Sequence, residues 1–383
     1  MKNKKNLGFI INFSHERWLG GSNYFSNLFD GINLYSNNSI TIFSGLNKKK
    51  LNPKFKRFKI VYLSILDPNK KINVLINYLR LLMLILLKRD FILESILKKY
   101  RIEILSHSFP LGRFSKIKSV CWIPDLQQLH LKHLFSFKER FKRWLDIFIL
   151  KNNSSIILFS SKTVRDDFLI NYNVRKDSTA VLNFLNKLPT KKPNGKLFKK
   201  FKRYFIISNQ FWIHKNYDLV INSLIELKKE NIKPTIVSTG TKFDWRSSTY
   251  YETLIKKIKK NGLSNFKILG NLSREQQLNL IMNATYLINP SKSEGWNSAI
   301  EEAKSLNTRV FASNLKVHKE QLGSKGIYFD VNSYKKLSEI LKKVIFDKKK
   351  NKRIAYSKLY KINQNNFKKF SITYNKIISK LGL

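Results

Sequence analysis

The sequence predicts an α/β protein made of two doubly wound, largely parallel sheets. Three observations carry that expectation. Short β-branched and aromatic runs alternate with longer amphipathic stretches along nearly all of the chain. At 383 residues it exceeds one ordinary core and suits two domains. A Pro-, Gly- and Lys-rich stretch interrupts the alternation near mid-chain.

In the first half the strand candidates are Leu7–Phe13, Ser39–Ser44, Phe58–Tyr62, Ile102–His107, Ser119–Ile123, Ser155–Ser160 and Thr179–Phe184. Helical patterns fall between them at about Tyr24–Gly31, Ile72–Lys99, Lys138–Leu150 and Lys162–Tyr172. Crossovers of this kind imply parallel neighbours. The second half repeats the rhythm, with strands at Tyr204–Ser208, Thr235–Ser238, Phe266–Leu269, Tyr286–Asn289 and Arg309–Ala312. Its helices are expected near Tyr217–Glu230, Ser248–Asn261, Ser273–Asn283, Ser298–Leu306 and Ser333–Phe346. Ser273-Arg274-Glu275-Gln276 has the spacing of a capping box. The expected boundaries are a first domain over 1–188, a linker over 189–203, a second domain over 204–360 and a closing helix over 361–383 that returns to the first. Ligand is expected in a crevice at the strand carboxyl ends.

Bulk properties exclude several classes. One cysteine, Cys121, rules out an intramolecular disulfide framework and a cysteine-based zinc site, and fits a reducing compartment. The basic start Met1–Lys5 is followed only by Leu7–Phe13, which reads as a first strand rather than as part of a signal peptide. The longest apolar run, Leu81–Leu87, is far short of the roughly 20 residues that span a bilayer. It reads as a buried helix, with an interfacial, membrane-dipping helix as the alternative. The net charge of +48 is extreme, yet its lysines are spread along the whole chain. Lys, Asn, Ile and Phe together are what AT-rich coding yields. No zinc-finger, homeodomain or RNP-type pattern accompanies the charge, so nucleic acid is not an expected partner. An anionic membrane surface and phosphorylated substrates are.

Three constellations could carry chemistry. Gly20-Gly21 follows the first strand and the polar loop Ser14–Leu19, ahead of a helix expected from about Ser22; paired glycines there allow backbone amides to approach a phosphate. Asn209 to Asn216 follows the first strand of the second domain and brings Lys215, flanked by His214 and Asn216, to its carboxyl end. Lys215 there can neutralise a diphosphate as a point charge. Last, the strand Tyr286–Asn289 runs through Pro290 and Ser291 into Glu294, Gly295 and Trp296, and a helix opens at Asn297 or Ser298 carrying Glu302. Free amides at that helix start form an anion site. Ser298 and Glu301 have capping-box spacing, which assigns Glu301 to the cap and leaves Glu302 facing a ligand.

The stretch Asn289-Pro290-Ser291, Glu294-Gly295-Trp296 and Glu302-Ala303, followed by Val310, Ala312-Ser313-Asn314, His318 and Glu320-Gln321-Leu322-Gly323, resembles retaining glycosyltransferases of family 4. Those enzymes have the GT-B fold, two Rossmann-like domains facing a central cleft, and a Glu-x7-Glu motif. Gly270 matches the family's strand-ending glycine, and Gly20-Gly21, His214-Lys215-Asn216 and a returning C-terminal helix fall in the family's order. The resemblance implies hexosyl transfer from a nucleotide sugar, with retained anomeric configuration and no catalytic metal or other cofactor. It implies a glycan or lipid-linked acceptor in cell-surface polysaccharide or lipopolysaccharide synthesis, and a cytoplasmic enzyme, peripheral on the inner face of the plasma membrane. It assigns Glu302 to the nucleotide ribose. Glu294 and the amides of Gly295, Trp296, Asn297 and Ser298 fall to the donor sugar, with Glu294 as a catalytic group. Lys215, Asn209 and the Gly20-Gly21 amides fall to the diphosphate side.

The chain departs from the family at three places. Asn209 or Gln210 stands where an Arg is common, leaving Lys215 as the obvious cation. Asn297 replaces a second Gly and, tolerating a left-handed conformation, would preserve the turn. The first-domain His has no direct match: Trp122–His130 resembles a Trp-x-Pro-Asp-x-Gln-His pattern with Gln128 at the His position. Asp125 and His130 are the catalytic candidates there, with His107 a third. A nucleotide-sugar epimerase on the same fold, or a degenerate basic binding protein, are the alternatives to a transferase.

Overall fold

The computed structural model describes residues 4–16, 18–244, 246–346 and 354–382. Arg17 of the first polar loop, the extreme amino terminus and the start of the tail expected from Asn351 lie outside the described residues. The chain divides into two compact units. One comprises Met1–Leu126, Ser136–Asn186 and Asn366–Leu383; the other comprises Gln127–Phe135 and Lys187–Asn365.

The first unit holds a seven-stranded sheet of β1 (Asn6–Ile10), β2 (Ser39–Ser44), β3 (Lys59–Tyr62), β4 (Ile104–Ser106), β5 (Lys118–Ile123), β6 (Ile156–Phe159) and β7 (Thr179–Val181). Its order is β3-β2-β1-β4-β5-β6-β7, and every described pairing is parallel. The order reverses between β1 and β4, the topological switch of doubly wound sheets. β4 and β6 are buried along their whole length, as a parallel sheet covered on both faces requires. The helix Tyr356–Ser379 ends in this unit: Phe367, Phe370, Tyr374 and Ile377 join Phe9, Leu28 and Ile32 in one core. Tyr374 fixes the helix by donating from its hydroxyl to Ser106 Oγ at 2.9 Å.

The second unit holds a six-stranded sheet of β8 (Tyr204–Ser208), β9 (Thr235–Thr239), β10 (Phe266–Ile268), β11 (Tyr286–Asn289), β12 (Val310–Ser313) and β13 (Gly326–Phe329). The order is β10-β9-β8-β11-β12-β13, again parallel throughout, with its switch between β8 and β11. At the carboxyl ends, Gly240 and Gly270 both have positive φ, +135° and +69°. A Cβ on Gly240 would lie 2.2 Å from the Asn209 carbonyl oxygen, so only glycine lets that loop pass the end of β8.

Three sequence expectations change. The single helical stretch Ile72–Lys99 is two helices, Ile72–Leu86 and Phe91–Lys99. Lys88 turns left-handed (φ 52°), and the Asp90 carboxylate accepts from the Leu93 amide to start the second. The run Leu81–Leu87 is not buried as a whole: Leu84 is, while Leu82, Leu86 and Leu87 are exposed. β13 and the helix Lys316–Leu322 were not expected, because Gly326–Phe329 is only four residues long and partly exposed. Among the described residues no helix is long and apolar enough to cross a membrane.

Candidate active site

The candidate site grows from the ends of β8 and β11, the two strands that flank the switch in the second sheet. After β8 the chain makes a short 3-10 turn, Ile213–Lys215, that ends at Asn216 in a left-handed conformation (φ 56°). Asn tolerates that geometry, and its side-chain amide donates to the carbonyls of Pro290 (3.1 Å) and Val331 (3.0 Å). The His214 carbonyl accepts from the Lys292 amide at 2.8 Å. The bonds to Pro290 and from Lys292 tie the Lys215 turn to the loop that carries Glu294.

Lys215 and Glu294 form a buried ion pair, with Nζ 2.5 Å from Oε1 and side chains only 10% and 8% exposed. Asn297 Nδ2 donates to the same Glu294 oxygen at 2.9 Å. Burial pushes the Glu294 pKa up, but the Lys215 charge, His318 and hydrogen bonds from Lys215 and Ser291 outweigh it, so the net direction is down. Asn209, the residue after β8, is 8% exposed, and its Nδ2 has no hydrogen-bond partner. A buried amide left without an acceptor is costly and marks a place where a ligand oxygen would be welcome.

The helix Ser298–Ser305 starts at Asn297, whose Oδ1 accepts from the Ile300 amide at 3.0 Å. Asn297 is extended (φ −99°), so it serves as a cap and not as the left-handed residue expected from the sequence. Ser298 is accordingly the first helical residue, and the expected Ser298–Glu301 capping box does not form. Glu301 is structural for another reason: it accepts from Gln321 Nε2 and from Lys304 Nζ, each at 2.8 Å. Burial raises its pKa.

Glu302 sits on the second turn, buried, and belongs to a separate group. Arg274 Nη1 donates to its carboxylate, and Gln277 reaches both the Glu302 carboxylate (3.5 Å) and Ser208 Oγ (2.7 Å). The two acids are thus held by neighbouring residues at the end of β8. Ser208 leads through Gln277 to Glu302, and Asn209 lies beside Asn297, which holds Glu294.

Two arginines went unrecognised in the sequence. Arg274 is the first residue of the helix Arg274–Asn283, inside the Ser273 capping box that the sequence does show. Arg246, from the loop after β9, donates to His214 Nδ1 (2.9 Å), Gln127 Oε1 (2.8 Å) and Asp244 Oδ1 (3.2 Å). Burial, with Lys215 and Arg246 adding positive charge, holds His214 well below the ordinary histidine range and therefore neutral. Arg246 places a second cation beside the Lys215 turn, where the sequence showed only one.

The remaining predicted residues lie as follows. Gly20 and Gly21 belong to the first unit and fall within a helix that begins at Leu19, Leu19–Tyr35, rather than ahead of one from Ser22. A Cβ on Gly21 would lie 2.3 Å from the Trp18 ring, whereas Gly20 has room. His107 is a core residue: its nitrogens meet Tyr24 OH (2.7 Å) and Ser106 Oγ (2.8 Å), and burial lowers its pKa to about 3. It is a packing group with both nitrogens engaged. Asp125 is half-buried in the first unit; His130, exposed, ends the short helix Gln127–His130, which clusters with the second unit. The structure therefore gathers Asn209, Lys215, Glu294, Gly295, Trp296, Asn297, Ser298 and Glu302 at adjoining loops of one unit.

Residues 190–358 match the family model described as glycosyl transferases group 1. No curated protein matches the sequence significantly. Among solved structures, Anabaena HepE in complex with UDP-glucose is 14% identical with a TM-score of 0.69, and the match covers 98% of each chain. Sucrose-phosphate synthase from Thermosynechococcus elongatus is 12% identical, TM-score 0.71, over 99% of each chain. The lipopolysaccharide outer core galactosyltransferase WaaB is 14% identical, TM-score 0.63, over 98% of this chain and 99% of its own. At such identities the likeness is one of fold. With the family match over residues 190–358 and the two parallel sheets, it gives the chain the GT-B fold of glycosyltransferases, with a glycosyl transferases group 1 domain in the second unit.

Proposed function

We propose that the enzyme moves a hexosyl group from a nucleotide-sugar donor to a glycan or lipid-linked acceptor, retaining the anomeric configuration and using no metal. The carrying observation is the Lys215–Glu294–Asn297 cluster with the unpartnered Asn209 amide beside it, set against a helix that also carries Glu302. A departing nucleoside diphosphate gains charge as the glycosidic bond breaks. Lys215 has three N–H donors and needs only one for Glu294, leaving others for phosphate oxygens. The first amides of the Ser298–Ser305 helix add an aligned dipole at no cost of reorganisation.

Glu294, pinned on two sides, is the acid for the donor-sugar hydroxyls, together with the backbone from Gly295 to Ser298. Glu302, held by Arg274 and Gln277, takes the ribose hydroxyls. In the first unit, Gly20 and Gly21 in the opening helical turn are the candidate amides for the diphosphate, and Asp125 is the candidate catalytic group, with His130 from the short 127–130 helix. Acceptor choice falls to the first unit, where an open depression of about 530 Å³ lies at the ends of β2 and β3, lined by Gly45, Asn47, Lys48, Lys50 and Tyr62. The solved complex of HepE with UDP-glucose supports a nucleotide-sugar donor, and the likeness to WaaB, a lipopolysaccharide outer core galactosyltransferase, supports a cell-surface glycan acceptor.

The test is a thermal-shift screen of the full chain against UDP-, GDP-, dTDP- and ADP-sugars, followed by NMR of the product anomer. One nucleotide sugar should raise the melting temperature by mass action, and the product should keep the donor's anomeric configuration. No stabilisation by any of them at millimolar concentration would overturn the reading; an inverted anomer would overturn retention.

A further inference from the structure

We propose that two adjoining helices of the first unit, Ile72–Leu86 and Phe137–Asn153, form a surface that inserts into an anionic membrane. On the first, Leu75, Tyr78, Leu79, Leu82 and Leu86 recur at helical spacing and are 44–67% exposed. On the second, Phe137, Phe141, Trp144 and Phe148 follow the same spacing, and Phe137 is 77% exposed. The ring planes of Phe141, Trp144 and Phe148 lie nearly parallel in sequence, with centroids 5.8 Å apart at each step. The helices touch one another, so the two stripes belong to one region of the unit.

Single exposed apolar residues are ordinary, but two aligned helical stripes of them are not. The first helix buries little besides Asn73 and Leu84, so hydration of its aliphatic side chains is left uncompensated.

The charges around the stripes select the occupant. Lys138, Arg140, Lys142 and Arg143 are interleaved with the aromatic residues, and Lys70, Lys71 and Lys88 flank the aliphatic helix. Of the acids on the aromatic helix, Glu139 is spent on the Ser136 capping box and Asp146 on Lys142. An apolar stripe with a basic border and aromatic residues at its edge suits acyl chains beneath anionic headgroups. A second copy of the chain would bring the same basic border against itself, which disfavours self-association. No described helix is both long and apolar enough to span, so the pair lies in the interface.

The experiment is co-flotation of the full chain with vesicles of equal parts phosphatidylcholine and phosphatidylglycerol, and with phosphatidylcholine alone. The protein should float with the anionic vesicles, weakly with the neutral ones, and less as ionic strength rises. The double variant Phe141→Ser/Trp144→Ser removes two exposed rings without touching the donor residues. It should lower partition about tenfold or more, with unchanged circular dichroism and unchanged stabilisation by the nucleotide sugar. Failure of the parent chain to float would overturn the proposal, as would equal flotation of the variant. So would light scattering that shows the parent dimerising through these rings while ignoring vesicles, because the surface would then belong to a protein partner. None of these outcomes depends on donor chemistry.

Discussion

Replacing Lys215 by Met keeps the aliphatic stem and removes the charge, leaving Glu294 buried with Asn297 and Ser291 as its remaining donors. Removing one member of a buried ion pair costs several kcal/mol because the other charge is stranded. Here the carboxyl has an escape, which is to take up a proton. From an ordinary value of 4.5, that escape costs about 1.36 kcal/mol for each pH unit above it. Protonation therefore costs the second unit up to about 3.4 kcal/mol at pH 7 and under about 1 kcal/mol at pH 5, on top of the stabilisation that the ion pair gives the parent at both. For a unit of this size the first figure corresponds to roughly 7–14 °C in melting temperature.

The sign distinguishes the two proteins. In the parent, the Glu294 pKa is depressed on folding, so its contribution is present above the unfolded value and lost as pH falls through the folded one. In Lys215→Met, burial raises the pKa, and acidification from neutral pH recovers stability instead. Thermal melts of both proteins between pH 5 and 8, with Lys215→Met/Glu294→Gln as the third member, measure this directly. The double variant should recover most of the loss at pH 7. A deficit that does not shrink toward pH 5, or one that Glu294→Gln leaves in place, refutes the reasoning.

Two further outcomes test the rest of the site. Glu302→Ala should weaken nucleotide-sugar affinity by about tenfold or more, because a charged acceptor to the ribose hydroxyls is worth roughly 1.5–3 kcal/mol; calorimetry that finds unchanged affinity assigns the ribose elsewhere. Gly21→Ala should lower the melting temperature, since its Cβ would lie 2.3 Å from the Trp18 ring, while Gly20→Ala should leave stability nearly unchanged. Equal effects of the two in thermal melts would mean that the Trp18 packing is not what requires glycine.

The second sheet was legible because its strands are short apolar runs ended by polar turns, and a chain of such units has few topologies. Lys215, Glu294 and Glu302 were legible for the same reason: each follows a strand end or lies within the first two turns of the helix after one. Arg246 and Arg274 were not, because their importance lies in contacts to His214 and Glu302 at sequence separations of about 30 residues. In so Lys- and Arg-rich a chain nothing local singles them out. His107 shows the opposite failure. A histidine at a strand end reads as available, yet Tyr24 and Tyr374 close over it. Leu81–Leu87 failed similarly, since apolar content predicts burial but does not say which neighbours exist to provide it. The break at Lys88 needed the left-handed turn and the Asp90 cap, visible only once Leu111 and Gly112 close against that corner.

The neutrality of His214 shapes how the enzyme's rate should respond to acidity. Burial and two nearby cations hold His214 well below the ordinary histidine range, and Lys215 holds Glu294 below the ordinary carboxylate value, so both keep their charge state around neutral pH. These two groups contribute a constant charge there, while burial shifts the neighbouring Glu301 up and His318 down. A bend in the kcat/KM profile there would report titration elsewhere, in the leaving phosphate, the acceptor hydroxyl or the groups that deprotonate it.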